Sequence, residues 1–403
     1  MMYSFAVPKS NRQLKVNPGG LLTPGQVVGR DAFIKSLWRS LESQSVLLTS
    51  ERRMGKTSVM RKMTEESPPG VCPIQRSLQG INAPEEFARA LVADVEKNIP
   101  DVLSRPIVKR LRKAGVKKVG AQSVEVEFEP ISEEAWKDVV IETFATIEAG
   151  VDERVVFLWD ELPHVVDAIE GKRDPNTARD LLDVLRHVRE TYPSTRMILS
   201  GSLGMHHVVD KLRSKGGMWA PTNDMAMVDL APLDRGDAEY LALELLRNEA
   251  IECGGDEEAI AAAIAAEVDH VPYYVHHTVA GLQREQEGTG EPVDVSMAVG
   301  AIATALIEPQ DPWQLRHYVD RVPVYYPAES DLAFAILDAV AAAEQPCSQG
   351  EIENLLAAQA APPGKAQLHS LLELLCKDHY LEPGYDFRLK LVRRAWLARR
   401  PPR

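Results

Sequence analysis

An apolar run, Val46-Leu-Leu-Thr49, leads directly into Ser-Glu-Arg-Arg-Met-Gly-Lys-Thr-Ser over residues 50–58, and an amphipathic pattern follows it. The spacing is that of G-x-x-x-x-G-K-[ST], with Ser50 where the first Gly stands. A strand, a tight loop and a helix in this order turn backbone N–H groups and the positive end of the helix toward an anion. The segment therefore reads as a phosphate loop. Lys56 adds charge at the β- and γ-phosphates, and Thr57 offers a hydroxyl that can ligate Mg²⁺. A polar turn ahead of an ordinary helix is the competing reading. Gly55-Lys56-Thr57 alone does not separate the two; the strand before it and the helix after it do.

A partner for this loop lies further along the chain. Arg154-Val-Val-Phe-Leu-Trp-Asp160-Glu161 is a continuous apolar run ending in two carboxylates, the pattern of a parallel strand buried on both faces. Asp160, at the C-terminal edge of such a strand, is expected to hold Mg²⁺ directly or through water, and Glu161 to orient and polarise an attacking water. An acidic cap for the next turn is the alternative, and it loses ground once the run is paired with the phosphate loop.

At 403 residues the chain has room for more than one domain with a substantial core. Cys72, Cys253, Cys347 and Cys376 lie far apart with no C-x-x-C pair, which points to reduced thiols in a cytoplasmic protein and away from disulfides or zinc. No apolar run reaches membrane-spanning length, and the polar stretch Met1–Gly20 lacks a signal-peptide core, so no membrane association is expected. The formal net charge of −13 argues against non-specific coating of nucleic acid but leaves room for a local basic face.

Four regions separate by composition. Residues 1–27 are punctuated by Pro and Gly and read as an extended lead-in. Residues 28–230 alternate strands (near Val46–Thr49, Cys72–Leu78, Val155–Trp159, Met197–Ser200 and Ala226–Leu230) with helices (near Ala32–Glu42, Lys56–Glu65, Pro84–Asn98, Glu133–Ala149 and Thr177–Thr191). That alternation predicts an α/β core with a parallel sheet covered on both faces, interrupted by a basic insert at about 100–130. Residues 231–323 are mainly helical, with strong periodicity over Arg235–Asn248 and Asp256–Val268. Residues 324–403 read as three helices and a hairpin, Asp331–Ala343, Gln349–Ala358, Lys365–Lys377 and then Tyr380–Leu391 turning at Pro383-Gly384, an order that suits a winged helix.

Two basic stretches stand out. Arg105–Lys118 is either a solvated helix face or a phosphate-binding patch. From Phe387 to Arg403 the chain carries Arg388, Lys390, Arg393, Arg394, Arg399, Arg400 and Arg403 without an acid, a composition that could grip a DNA backbone. The third helix, Lys365–Lys377, is leucine-heavy and offers few base readers, so sequence-specific readout has little support. The adjacent pairs His206-His207 and His276-His277 lack the spacing of a helical metal site. Trp159 is expected in the core, and Tyr273-Tyr274 is expected to pack the lid against it.

Taken together, several segments resemble the archaeal and bacterial AAA+ ATPases related to the STAND signalling ATPases. They are Gly29-Arg30-Asp31, the loop at residues 50–58, Leu-Trp-Asp-Glu at 158–161, the strand Met197–Ser200 followed by Gly201-Ser202, Leu230-Ala-Pro-Leu233, and His270-Val-Pro272-Tyr-Tyr. The resemblance implies a P-loop core of the ASCE/AAA+ type, a helical lid and a C-terminal winged helix, binding ATP with Mg²⁺ as a molecular switch. It implies nucleotide contacts from Gly29, Arg30, Ser50, Arg52, Arg53, Met54, Gly55, Lys56, Thr57, Ser58 and Pro272, with Thr57 and Asp160 on the metal. Glu161 and Lys56 would serve catalysis, and Ser202 or Ser200 the sensor role; Arg30 could instead cap its own helix. Arg52 and Arg53 have charge neutralisation or contact with a partner as their alternative roles, and Arg189 and Arg196 are the candidates for an arginine finger serving a neighbouring subunit. Two departures bear on rate and shape: Ser50 restricts φ where the loop bends, which would slow hydrolysis, and His270 replaces a Gly beside Pro272, which would carry the turn. Three outputs are open: a signalling or defence switch acting on a protein partner or by self-association, a DNA-associated ATPase, and an ATP-holding scaffold with negligible turnover.

Overall fold

Strands β1 (Val46–Thr49), β2 (Val71–Ser77), β3 (Arg154–Asp160), β4 (Thr195–Ser200) and β5 (Ala226–Asp229) pair entirely in parallel, in the order β2-β3-β4-β1-β5. The computed structural model describes residues 14–100, 135–213, 218–357 and 363–401. The basic stretch Arg105–Lys118 lies outside these residues.

The sheet follows from composition. Val155, Val156, Phe157, Leu158 and Trp159 of β3 are all buried, as a central strand covered on both faces requires. Trp159 is a core residue, with its ring edge-on to Phe87 at 5.0 Å and Phe144 at 6.5 Å between centroids. Helices Pro84–Asn98, Trp136–Gly150 and Pro175–Thr191 contribute to the same core. The last buries Ala178, Leu181, Leu182, Leu185 and Val188, an i, i+3, i+4, i+7 stripe, and Asp174 caps it by accepting from the N–H groups of Asn176 and Thr177. Among the described residues between β1 and β5, the helices Leu162–Lys172, directly after Glu161, and Met205–Leu212 go beyond the sequence reading.

The chain divides into two compact units. One comprises Ala32–Thr49 and Lys56–Leu230 and holds the sheet. The other comprises Met1–Asp31, Ser50–Gly55 and Ala231–Arg403, so the loop residues before Lys56 group with the helical C-terminal part.

In this second unit, helices Arg235–Asn248, Glu257–Glu267, Pro272–Thr289 and Val295–Ile307 pack together, and Ser330–Ala342, Gln349–Leu356 and Lys365–Lys377 follow. The expected hairpin at Tyr380–Leu391 shrinks to a single antiparallel bridge, Leu381 with Phe387, around Gly384 at φ 104°. The basic tail is a helix, Lys390–Arg399, anchored by buried Trp396 against Phe334, Tyr380 and Phe387. Short extended runs on either side of Pro383-Gly384 leave little ladder to form, and Leu391, Val392, Ala395 and Trp396 supply a helical stripe instead. Pro272 opens the helix Pro272–Thr289, yet it does not carry the turn before it. Asp269 (φ 51°) and His270 (φ 59°) are both left-handed, so His270 bears the strain that a Gly would avoid. Its amide donates to the Ala265 carbonyl at 2.9 Å and its carbonyl accepts from Leu233 at 3.1 Å, which hold it there. None of the described helices is long and apolar enough to cross a membrane.

His276 is buried in the same unit and its Nδ1 accepts the Asn17 N–H at 3.3 Å, so the ring is held neutral. Burial, with His277 beside it, pushes its pKa down from 6.5 to about 4. The unfolded chain therefore takes up this proton first, and stability present above pH 6.5 is lost as the pH falls toward 4. The expected loss at this one site is on the order of 3 kcal/mol. Urea midpoints measured between pH 7 and pH 4 should fall with acidification, and the slope should flatten in His276→Leu.

Candidate functional site

Parallel pairing sets the C-terminal ends of β1, β3 and β4 side by side, with Leu48 opposite Ser200 and Trp159 opposite Leu199. Three side chains meet at this edge of the sheet unit. Thr57, in the first turn of the helix Lys56–Glu65, donates its hydroxyl to Asp160 Oδ2 at 2.6 Å. Ser200, ending β4, donates to Asp160 Oδ1 at 2.6 Å, and that oxygen also accepts the Glu161 N–H at 3.1 Å. Asp160 is buried with both oxygens engaged. A carboxylate oxygen in contact with a threonine hydroxyl is a hard-oxygen donor pair of the kind Mg²⁺ takes, so the residues present fit that ion.

Glu161 follows at φ 66°, ψ 27°, a left-handed conformation rare for a residue with a side chain. Its Oε2 accepts the Ser202 N–H and the Ser202 hydroxyl, each at 3.0 Å. His164, one turn into the helix Leu162–Lys172, brings Nε2 to 2.9 Å from Ser202 Oγ and 3.4 Å from Glu161 Oε2. Gly201 is needed for this approach, because a Cβ there would stand 2.7 Å from the Pro163 ring. Serine, histidine and carboxylate together suggest a nucleophilic triad, and the geometry rejects it: both partners address the same ring nitrogen, whereas a triad uses both nitrogens.

The loop has its own set of contacts within the helical unit. Gly55 at φ 91° and Arg53 at φ 71° carry its left-handed bends. Ser50 is not among the positive-φ residues, and its hydroxyl donates to the Glu51 carbonyl at 2.7 Å. The expected strain at the missing first Gly is therefore absent. Arg30 is buried and donates to the carbonyls of Ala231 (2.9 Å) and Met54 (3.1 Å). Burial lowers its pKa to about 10, which leaves it charged at neutral pH. Gly29, at φ 70°, lies so close to Asp237 that a Cβ would sit 2.7 Å from that side chain. Arg53 stacks over Tyr273 at 4.2 Å and also reaches Gln314, while Arg52 donates its N–H to Glu51 Oε1 at 2.9 Å.

Glu51 was not singled out in the sequence, and at 1% exposure it is as enclosed as the apolar Met54 of the same loop. Its Oε1 takes an ion pair from Arg321 at 3.2 Å. The Arg321 guanidinium lies over Tyr380 (4.2 Å) and Tyr318 (4.7 Å) and donates to the Asp378 carbonyl at 3.3 Å. Nothing in the order of residues connects positions so far apart; only the fold does.

Both arginine-finger candidates have hydrogen-bond partners inside the sheet unit. Arg189 is buried in a bidentate pair with Asp224, at 2.7 and 2.9 Å. Arg196 donates from its two terminal nitrogens to the carbonyls of Pro193, Thr195 and Ser43, while its buried Nε has no hydrogen-bond partner among the described residues. The tail arginines are also engaged within the helical unit. Arg393 bonds the carbonyls of Ala341 and Ala343, Arg394 pairs with Glu267, Arg399 with Asp311 at 2.8 Å, and Arg400 with Asp338 at 2.6 Å.

No protein-family model and no curated protein matches the sequence. Solved structures do match the fold. A Walker-type ATPase of Pyrococcus abyssi superposes with a TM-score of 0.61 at 17% identity, covering 96% of this chain and 98% of its own. The ORC2 protein of Aeropyrum pernix follows at a TM-score of 0.51 and 10% identity, covering 92% and 93%. The fold is that of the P-loop ATPases of the AAA+ class. At these identities the likeness speaks for the P-loop fold alone, and chemistry must be argued from the side chains above.

The Glu51–Arg321 pair buried in the helical unit has a measurable consequence. Arg321→Met strips Glu51 of its counter-charge and should cost about 3–5 kcal/mol in urea denaturation, with a large part regained when Glu51→Gln is added.

Proposed function

We propose that the chain is a Mg-ATP-dependent switch that hydrolyses ATP and acts on a protein partner in signalling or defence. The observation that carries this reading is the triangle of Thr57, Asp160 and Ser200 at the sheet edge, directly after a phosphate-loop sequence. Thr57 and Asp160 would hold Mg²⁺, which when bound offsets the negative charge of the phosphates. Loop amides and Lys56 would bind those phosphates, and Lys56 would neutralise charge that grows as the terminal phosphoryl group departs. Glu161 would orient a water through its carboxylate and accept its proton. Ser200 takes the part of holding Asp160, and Ser202 that of holding Glu161.

The switch is supported by contacts inside the helical unit. The phosphate loop is tied to distant parts of that unit by Glu51–Arg321 and by Arg30 bridging Met54 and Ala231. A change in loop conformation on losing the γ-phosphate would therefore be transmitted to the helices around Arg321 without a new contact. Residues 231–323 as a lid and 324–403 as a winged helix are part of this proposal. So is a cytoplasmic setting, which four free cysteines favour. A DNA-gripping tail finds less support, since Arg393, Arg394, Arg399 and Arg400 all have internal partners. The scaffold reading loses its original basis with the relaxed backbone of Ser50.

Binding and turnover of Mg-ATP test the proposal directly. Lys56→Ala should lose nucleotide affinity, whereas Glu161→Gln should keep ATP bound and lower kcat by about 10²–10⁴-fold. Turnover unchanged in Glu161→Gln, or a wild type that binds no nucleotide, would remove it.

A further inference from the structure

We infer that His164 is a positioning residue for Glu161, acting through the hydroxyl of Ser202 to fix which carboxylate oxygen faces the reacting water. The inference rests on the ATPase reading and assigns a role that reading leaves open. The argument is one of counting protons. As an ionised base, Glu161 can only accept hydrogen bonds. Ser202 Oγ has one proton and stands 3.0 Å from Glu161 Oε2, so it gives that proton to the carboxylate. The hydroxyl then has only lone pairs left for His164, whose Nε2 at 2.9 Å must be the donor. Donation thus runs one way, from His164 Nε2–H to Ser202 Oγ–H to Glu161 Oε2.

Both donors fall on a single oxygen. Oε2 takes the Ser202 N–H and the Ser202 hydroxyl, each at 3.0 Å, with His164 Nε2 3.4 Å away and its proton directed to Ser202 Oγ. Oε1 is the oxygen that remains to take a proton from water. Packing of Gly201 against Pro163 brings Ser202 up to the carboxylate, and His164 in turn holds the Ser202 rotor. His164 is about half exposed, its side chain being 49% accessible, so it can be replaced without opening a cavity.

The test compares steady-state ATP turnover and nucleotide affinity in wild type, Glu161→Gln, His164→Leu, His164→Gln, Ser202→Ala and the His164→Leu/Ser202→Ala double variant. His164→Leu should lower kcat about tenfold while KM and affinity stay within about twofold, since only the orientation of the base changes. His164→Gln, whose amide N–H can still donate to Ser202, should keep kcat within about threefold of wild type. Ser202→Ala should be at least as slow as His164→Leu, and the double variant should be no slower than Ser202→Ala by more than about twofold, because His164 acts through that hydroxyl. Nitrogen-15 NMR of the wild-type imidazole should show the proton on Nε2. A His164→Leu enzyme with wild-type kcat, a loss shared equally by affinity, or a His164→Gln variant as slow as His164→Leu would each overturn the inference while the ATPase reading survives. A wild type whose turnover is absent or indifferent to Glu161→Gln would instead bring down the ATPase reading, and this role with it.

Discussion

Strand β4 lies between β1 and β3, and its register decides which side chains can reach the buried carboxylate of Asp160. Side chains alternate faces along a strand, so a slip of one residue would carry Ser200 away from Asp160 and bring Leu199 to that edge. What opposes the slip is packing: Met197, Ile198 and Leu199 are all enclosed on both faces, and exchanging their faces would force each close-packed side to accommodate side chains of the wrong shape. The contact between Ser200 and Asp160 at 2.6 Å is therefore a by-product of core packing some residues away. Thr57 completes the arrangement only because β1 is paired with β4 and passes directly into the loop.

Much of this was legible in the residue order, and the limits have physical reasons. All five strands lie within a few residues of the bounds read from the sequence; β1, β3 and β4 leave an almost unbroken apolar record because they are covered on both faces, whereas the edge strands β2 and β5 are only partly buried. Lys56, Thr57, Asp160 and Glu161 could be named because their chemistry depends on local spacing. Other features depend on tertiary structure. Arg30 carries a family-like motif yet acts as a tie between carbonyls, a role visible only once Ala231 and Met54 are near it. Glu51 looked like a polar loop residue, and Arg321 lay in a stretch with no evident pattern; their pairing required the chain to return over a long sequence separation. His164 could have been noticed, since it stands three residues after Glu161, where a helix following the strand would bring it back over the carboxylate.

The helical unit also shows how composition can mislead about electrostatics. A tail with many arginines and no acid reads as a cationic surface, yet its partners come from elsewhere: Glu267, Asp311 and Asp338 are remote in sequence. Arg400 additionally lies over Phe334 at 4.2 Å, so its stem and head both contribute to packing. Each pair removes an acid and a base from the far field together, leaving the overall excess of carboxylates to set the sign of the potential.

The left-handed backbone at Glu161 sets two selective pressures against each other. A side chain in that region costs roughly 1–2 kcal/mol relative to a relaxed conformation, and Gly would recover it at once. Directed evolution under heat alone would therefore drift toward glycine at residue 161, producing a hardier protein with no base. Retention of glutamate at so uncomfortable a position would then be a record of chemistry, legible in a population of variants before any substrate is known.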